Sequence, residues 1–114
     1  MIERTEYLEK LKRFKDKDLI KVITGIRRCG KSTLFELFIK YLKENGISDD
    51  QIIKINLEDI SFNFADYKEL YDYVNEQIDS DRQYYVFLDE VQNVPKFQKA
   101  VDSLYIKKNV DVYI

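Results

Sequence analysis

A chain of 114 residues is sized for one domain that buries roughly two-thirds of its unfolded surface. Its 19 basic and 21 acidic residues leave a net charge of −2, so overall charge points neither to nucleic acid nor to a strongly acidic partner. There is no histidine, and Cys29 is the lone cysteine, which excludes a His/Cys zinc cluster and an intrachain disulfide and fits a reducing cytoplasm. No apolar run is long enough to span a bilayer, and Met1-Ile2-Glu3-Arg4 lacks the apolar core of a signal peptide, so neither membrane insertion nor export is expected.

Tyr7, Leu8, Leu11 and Phe14 recur at helical spacing, predicting a short amphipathic helix over residues 5–15. Its basic residues Lys10, Lys12, Arg13, Lys15 and Lys17 are interrupted by Glu9, Asp16 and Asp18, which reads as a solvated face rather than a nucleic-acid surface. Leu19 to Thr24 is an apolar strand. It leads into Gly25-Ile26-Arg27-Arg28-Cys29-Gly30-Lys31-Ser32, a complete GxxxxGK[ST] phosphate-binding loop. The glycines let the backbone curl so that successive N–H groups form an anion nest at a helix N-terminus. Lys31 is suited to the β- and γ-phosphates of a nucleotide, and the Ser32 hydroxyl to a bridging Mg²⁺.

After the loop, Leu34, Leu37, Phe38, Tyr41 and Leu42 mark one helix face that stops at Asn45-Gly46. Gln51 to Leu57 is the second strand. Asp66 and Glu69 have capping-box spacing ahead of a helix with Tyr67, Leu70, Tyr71, Val74 and Ile78 on its apolar face, closed by Asp79-Ser80-Asp81. Tyr84 to Leu88 is a continuous apolar strand, as a strand buried on both faces of a parallel sheet requires, and it runs into Asp89-Glu90. Pro95 suits the first turn of a helix with Phe97, Ala100, Val101, Leu104 and Tyr105 on one face, and Val110 to Ile114 is a fourth strand.

Such alternation predicts an α/β fold with a parallel sheet covered by helices on both faces. Right-handed crossovers then bring Gly25, the Asn56 region and Asp89 to the same sheet edge, outside the C-terminal strand ends. Residues 85–90 have the character of a Walker B element: Asp89 to hold Mg²⁺ with Ser32, and Glu90 to polarise the water attacking the γ-phosphate. The Asp-Glu pair favours an ATPase over a small-molecule kinase, and a nucleotide-dependent switch with slow turnover is the third reading. Arg27 and Arg28 can touch phosphates, meet a neighbouring subunit or keep the loop soluble. Cys29 reads as a small spacer. Arg82 precedes the strand and is too far from the loop to serve it.

The strings Ile23 to Thr33, Ile55-Asn56-Leu57-Glu58-Asp59 and Val86-Phe87-Leu88-Asp89-Glu90-Val91-Gln92 resemble the N-terminal ATPase domain of a prokaryotic AAA-type family, whose members usually carry a C-terminal nuclease-like domain. The resemblance covers essentially residues 1–114. It implies ATP and Mg²⁺ as ligands, with Gly25, Gly30, Lys31, Ser32 and Thr33 as nucleotide contacts, Asp89 as metal ligand and Glu90 as catalytic glutamate. Asn56 matches a polar residue that restrains the glutamate in related ATPases, although an Asn closing a strand at a turn fits equally. The implied architecture is a three-layer αβα P-loop fold with strand order 1-4-3-2, a fifth strand being absent. The chain then reads as a truncated N-terminal part, and the exposed edge of its first strand invites self-association.

Overall fold

The computed structural model describes residues 20–21, 28–59, 62, 64–107 and 109–114, with the backbone alone given for 20–21 and 28–33. The expected helix over 5–15, Leu19, Val22 to Thr24 and the loop residues Gly25, Ile26 and Arg27 lie outside the described residues.

The architecture is α/β, built on a parallel three-strand sheet. In chain order, a two-residue strand β1 (Ile20–Lys21) precedes helix α1 (Arg28–Glu44), strand β2 (Ile52–Asn56), helix α2 (Tyr67–Glu76), strand β3 (Tyr84–Asp89), helix α3 (Phe97–Ile106) and strand β4 (Val110–Tyr113). The central strand β3 pairs in parallel with β2, Ile52 opposite Tyr85 and Asn56 opposite Asp89, and with β4, Tyr84 opposite Val110 and Phe87 opposite Tyr113. Ile20 and Lys21 lie parallel to Val112 and Tyr113 on the far side of β4.

Every residue of β3 is buried, as its unbroken apolar sequence anticipated. Successive side chains enter two different cores. Tyr84, Val86 and Leu88 pack with Ile53, Ile55, Val110 and Val112 beneath α2 and α3. Tyr85 and Phe87 join Tyr113 and the α1 residues Leu34, Phe35, Phe38 and Leu42 on the opposite face. There Phe87 stacks on Tyr113 at 4.7 Å between centroids and receives the edge of Phe35 at 5.2 Å, while Phe38 lies 5.3 Å from Tyr113.

Helix ends follow local chemistry. Gly46 has φ +92°, the Ile47 N–H donates to the Leu42 carbonyl and the Gly46 N–H to that of Lys43, a Schellman closure that returns Ile47 to the aromatic core. At α2, Asp66 Oδ1 accepts from the Lys68 and Glu69 N–H groups. Glu69 reaches back one residue further than a capping box requires, accepting from the Ala65 N–H at 2.6 Å. Ile78 lies past the α2 C-cap, Gln77, yet still packs on the core.

Pro95 is not in the first turn of α3. Val91–Asn93 forms a 3-10 turn, and Lys96, with φ 56°, caps a helix that begins at Phe97. The left-handed residue after the proline breaks helical continuity, so the proline belongs to the preceding turn.

Between α1 and β2, Lys54 Nζ donates to Glu36 Oε1 at 2.7 Å. That hydrogen bond, and then the nearby ammonium charge, hold the Glu36 carboxyl below its usual value of 4.5. A lowered carboxylate pKa stabilises the fold above the unfolded-state value and loses that contribution as pH falls through the folded one. The pair is solvent-exposed, so the difference in unfolding free energy between wild type and Lys54→Met is expected to be at most about 1 kcal/mol at pH 7 and to vanish as pH drops below 4.5. Denaturant titrations at both pH values measure it. For the aromatic core, Phe87→Ala is expected to cost about 3–5 kcal/mol by the same measurement, because its cavity is walled by rigid rings.

Candidate functional site

Phe35 meets Phe87 late in β3, whereas Leu42 and Ile47 share their cluster with Ile52 at the start of β2. Helix α1 therefore runs antiparallel to the strands, with its first turn towards their C-terminal ends. That turn contains Arg28, Cys29, Gly30 and Lys31, followed by Ser32 and Thr33, and holds no acidic residue. A helix start free of carboxylates, whose first N–H groups have no intrahelical acceptor, favours an anion.

Asp89 is the last residue of β3 and is 2% exposed. It lies two residues beyond Phe87, about 7 Å along the strand, and alternation gives it the same face, the one covered by α1. Its carbonyl accepts from the Leu57 N–H at 2.9 Å, extending the β2 ladder past the end of the strand.

Glu90 follows in the left-handed region, φ 59° and ψ 40°. For a residue with a Cβ this conformation is strained, and such outliers collect at functional turns. It throws the chain out of the sheet into the Val91–Asn93 turn. Val91 and Val94 are buried in the core beneath α2 and α3, while Gln92 and Asn93 face solvent. Gln92 Nε2 donates to Glu90 Oε2 at 2.6 Å, and Asn93 Nδ2 reaches the Leu57 carbonyl at 3.5 Å.

Asn56 stands opposite Asp89 at the end of β2. Its Oδ1 accepts from the Glu58 N–H at 3.1 Å, an Asx turn that closes the strand. Thus β2 and β3 bring Asn56, Asp89 and Glu90 to one edge, with the start of α1 on the Asp89 side. Arg82 lies at the opposite end of β3, where it pairs with Asp50 at 2.6 Å; the guanidinium holds that carboxyl below its ordinary value.

The profile described as an AAA domain matches residues 17–114. The chain belongs to the AAA domain family. It is 37% identical over 116 residues to an uncharacterized protein of Haemophilus influenzae (strain ATCC 51907 / DSM 11121 / KW20 / Rd), the match covering 100% of this chain and 29% of that protein. The chain therefore spans less than a third of the length of the curated relative it matches. No solved structure matches it. AAA membership makes this a nucleotide-binding domain of ATPase type, and among the described residues no helix is long and apolar enough to cross a membrane.

Two features of the AAA domain escaped the sequence. Gln92 sits inside a string singled out for its Asp-Glu pair, but its contact depends on the left-handed step at Glu90. Asp111, 4% exposed, is buried on the aromatic face, where Oδ2 accepts from the Tyr113 hydroxyl at 3.3 Å; the alternation of Val110-Asp111-Val112-Tyr113 was the available signal. The backbone strain at Glu90 is directly measurable. Glu90→Gly is expected to be more stable than Glu90→Ala by about 1–2 kcal/mol, read from paired unfolding curves, since glycine alone adopts this conformation without cost.

Proposed function

We propose that the domain binds ATP with Mg²⁺ and hydrolyses it, as the nucleotide-binding part of a longer protein whose remaining segments use the energy. One observation carries this reading: Asp89 and Glu90 leave β3 at the edge towards which the first turn of α1, with Lys31 and Ser32, also points. The proposed complete architecture is the three-layer αβα P-loop fold with strand order 1-4-3-2. Pairing of Ile20–Lys21 with Val112–Tyr113 supports it. In this arrangement β1 is the edge through which two copies could associate.

In the proposed mechanism, backbone N–H groups of Gly25, Ile26, Arg27, Arg28, Cys29 and Gly30 cradle the phosphates, Lys31 holds the β- and γ-oxygens, and Thr33 adds a hydroxyl contact. The residues fit a Mg²⁺ site because such a hard ion takes few oxygen ligands from the protein, for which a carboxylate and a hydroxyl suffice, and draws the others from phosphate and water. Ser32 and the buried carboxylate of Asp89 would hold it. When bound, the ion neutralises charge on the phosphates. Glu90 orients a water for in-line attack; the new P–O bond forms as the bond to the bridging oxygen breaks, and the water proton passes to the Glu90 carboxylate. Asn56, on the adjacent strand end, is the proposed polar neighbour that limits how Glu90 can turn.

In the intact natural protein, Lys31→Ala is expected to weaken Mg·ATP binding roughly 10- to 100-fold, the worth of a charged hydrogen bond to phosphate, as read by equilibrium titration with a fluorescent ATP analogue. Glu90→Gln should keep wild-type affinity and lose turnover by about 10²-fold or more. Unchanged affinity in the lysine variant sinks the assignment of the loop, and unchanged turnover in the glutamine variant sinks that of the base.

A further inference from the structure

A short polar contact at the strand edge is made by a side chain to which the foregoing mechanism gives no task. Gln92 Nε2 donates to Glu90 Oε2 at 2.6 Å. We infer that Gln92 is a positioning residue, whose amide holds the Glu90 carboxylate in the orientation from which it meets the attacking water. This inference rests on the role proposed above for Glu90.

Three features of the turn make the contact more than a surface coincidence. Glu90 is in the left-handed region and is followed directly by a 3-10 turn over Val91–Asn93, so the bond closes across one left-handed residue and an ordered turn rather than a flexible loop. Val91 and Val94 are 5% and 3% exposed, so the turn is held to the core on both sides of Gln92. Asn93 Nδ2 also contacts the carbonyl of Leu57, tying the turn to the end of β2.

The chemical sense follows from the donor. A glutamine amide N–H₂ can only donate, and a carboxylate has two oxygens able to accept. Engaging Oε2 narrows the orientations open to the carboxylate. A base that must meet a water within hydrogen-bond reach gains from such fixing, and misplacement by about 1 Å costs on the order of 10²-fold in rate.

The test uses the intact natural protein and four variants: Gln92→Ala, Gln92→Glu, Glu90→Gln and the double variant Glu90→Gln/Gln92→Ala. Gln92→Ala is expected to lower kcat for ATP about 10-fold while the dissociation constant of the fluorescent ATP analogue stays within twofold. Gln92→Glu keeps the shape but replaces the donor by an acceptor, and should lower kcat at least as far. In the Glu90→Gln background, Gln92→Ala should bring no further loss, because the amide acts through that carboxylate. Gln92 is exposed, so Gln92→Ala and Gln92→Glu should unfold at the wild-type denaturant midpoint.

A kcat for Gln92→Ala within twofold of wild type, a kcat that rises, or an equal loss in the Glu90→Gln background overturns the inference. Those outcomes are separable from failure of the hydrolytic reading itself. If Glu90→Gln alone turns over ATP like wild type, the base is misassigned; if it is inactive while Gln92→Ala is normal, only the positioning role falls.

Discussion

The candidate site depends on a contact between rings that touch no ligand. Phe35 and Phe38 on α1 close over Phe87 and Tyr113, and all four are fully buried. Burying one such ring is worth about 1.5–3 kcal/mol in apolar transfer alone, with edge-on and stacked geometries adding about 0.5–1.5 kcal/mol per pair. The consequence is positional as much as energetic. Phe35 is one helical turn from Ser32, and Phe87 is two strand residues from Asp89, so the lock between the rings fixes where the start of α1 stands relative to the end of β3. The Lys54–Glu36 pair repeats the link at the outer strand, but a surface ion pair contributes too little to set the docking by itself.

The strict period of a strand turns that docking into chemistry. Because β3 feeds alternate residues to two cores, a slip of one residue would move Asp89 to the face covered by α2 and α3 and leave the start of α1 facing an apolar side chain. Register is held strongly by the core assignment: Tyr84, Val86 and Leu88 fill one side, Tyr85 and Phe87 the other. The polar handle of Tyr84 adds a lock at the other end, donating to Asp79 Oδ1 at 2.8 Å. Packing thus decides which face the terminal carboxylate occupies.

Much of this was legible in the residues. The unbroken apolar run of β3, the isoleucine-rich β2, Asp66 before α2 and Asn45-Gly46 after α1 each carry a local physical cause, and each appears where that cause operates. The boundaries that moved did so for tertiary reasons. Pro95 carries a helix-start signal, yet Lys96 in the left-handed region delays α3 until Phe97, a conformation that propensity does not foresee. Gln92 was equally unreadable, since a residue two positions away reaches back only when the backbone between takes an unusual step. Asp111 shares its strand face with Tyr113, which α1 covers, and only that docking makes the Tyr113 hydroxyl its buried partner.

Glu90 is the position where local preference and global structure disagree, and the turn around it explains how the disagreement is sustained. A left-handed glutamate costs about 1–2 kcal/mol, an amount that a single buried valine is able to offset. The turn provides two, Val91 and Val94, three residues apart, the spacing at which a 3-10 turn brings side chains onto one side. The two residues between them, Gln92 and Asn93, are thereby turned to solvent, and both contribute hydrogen bonds that stiffen the edge. An apolar pair pulling inward and a polar pair bracing outward leave the intervening backbone little freedom to relax Glu90 into an ordinary conformation. The strain at this residue is therefore maintained by the core beneath α2 and α3, on the sheet face opposite the one that docks α1, so the candidate base and the start of α1 are positioned from the two sides of the same strand.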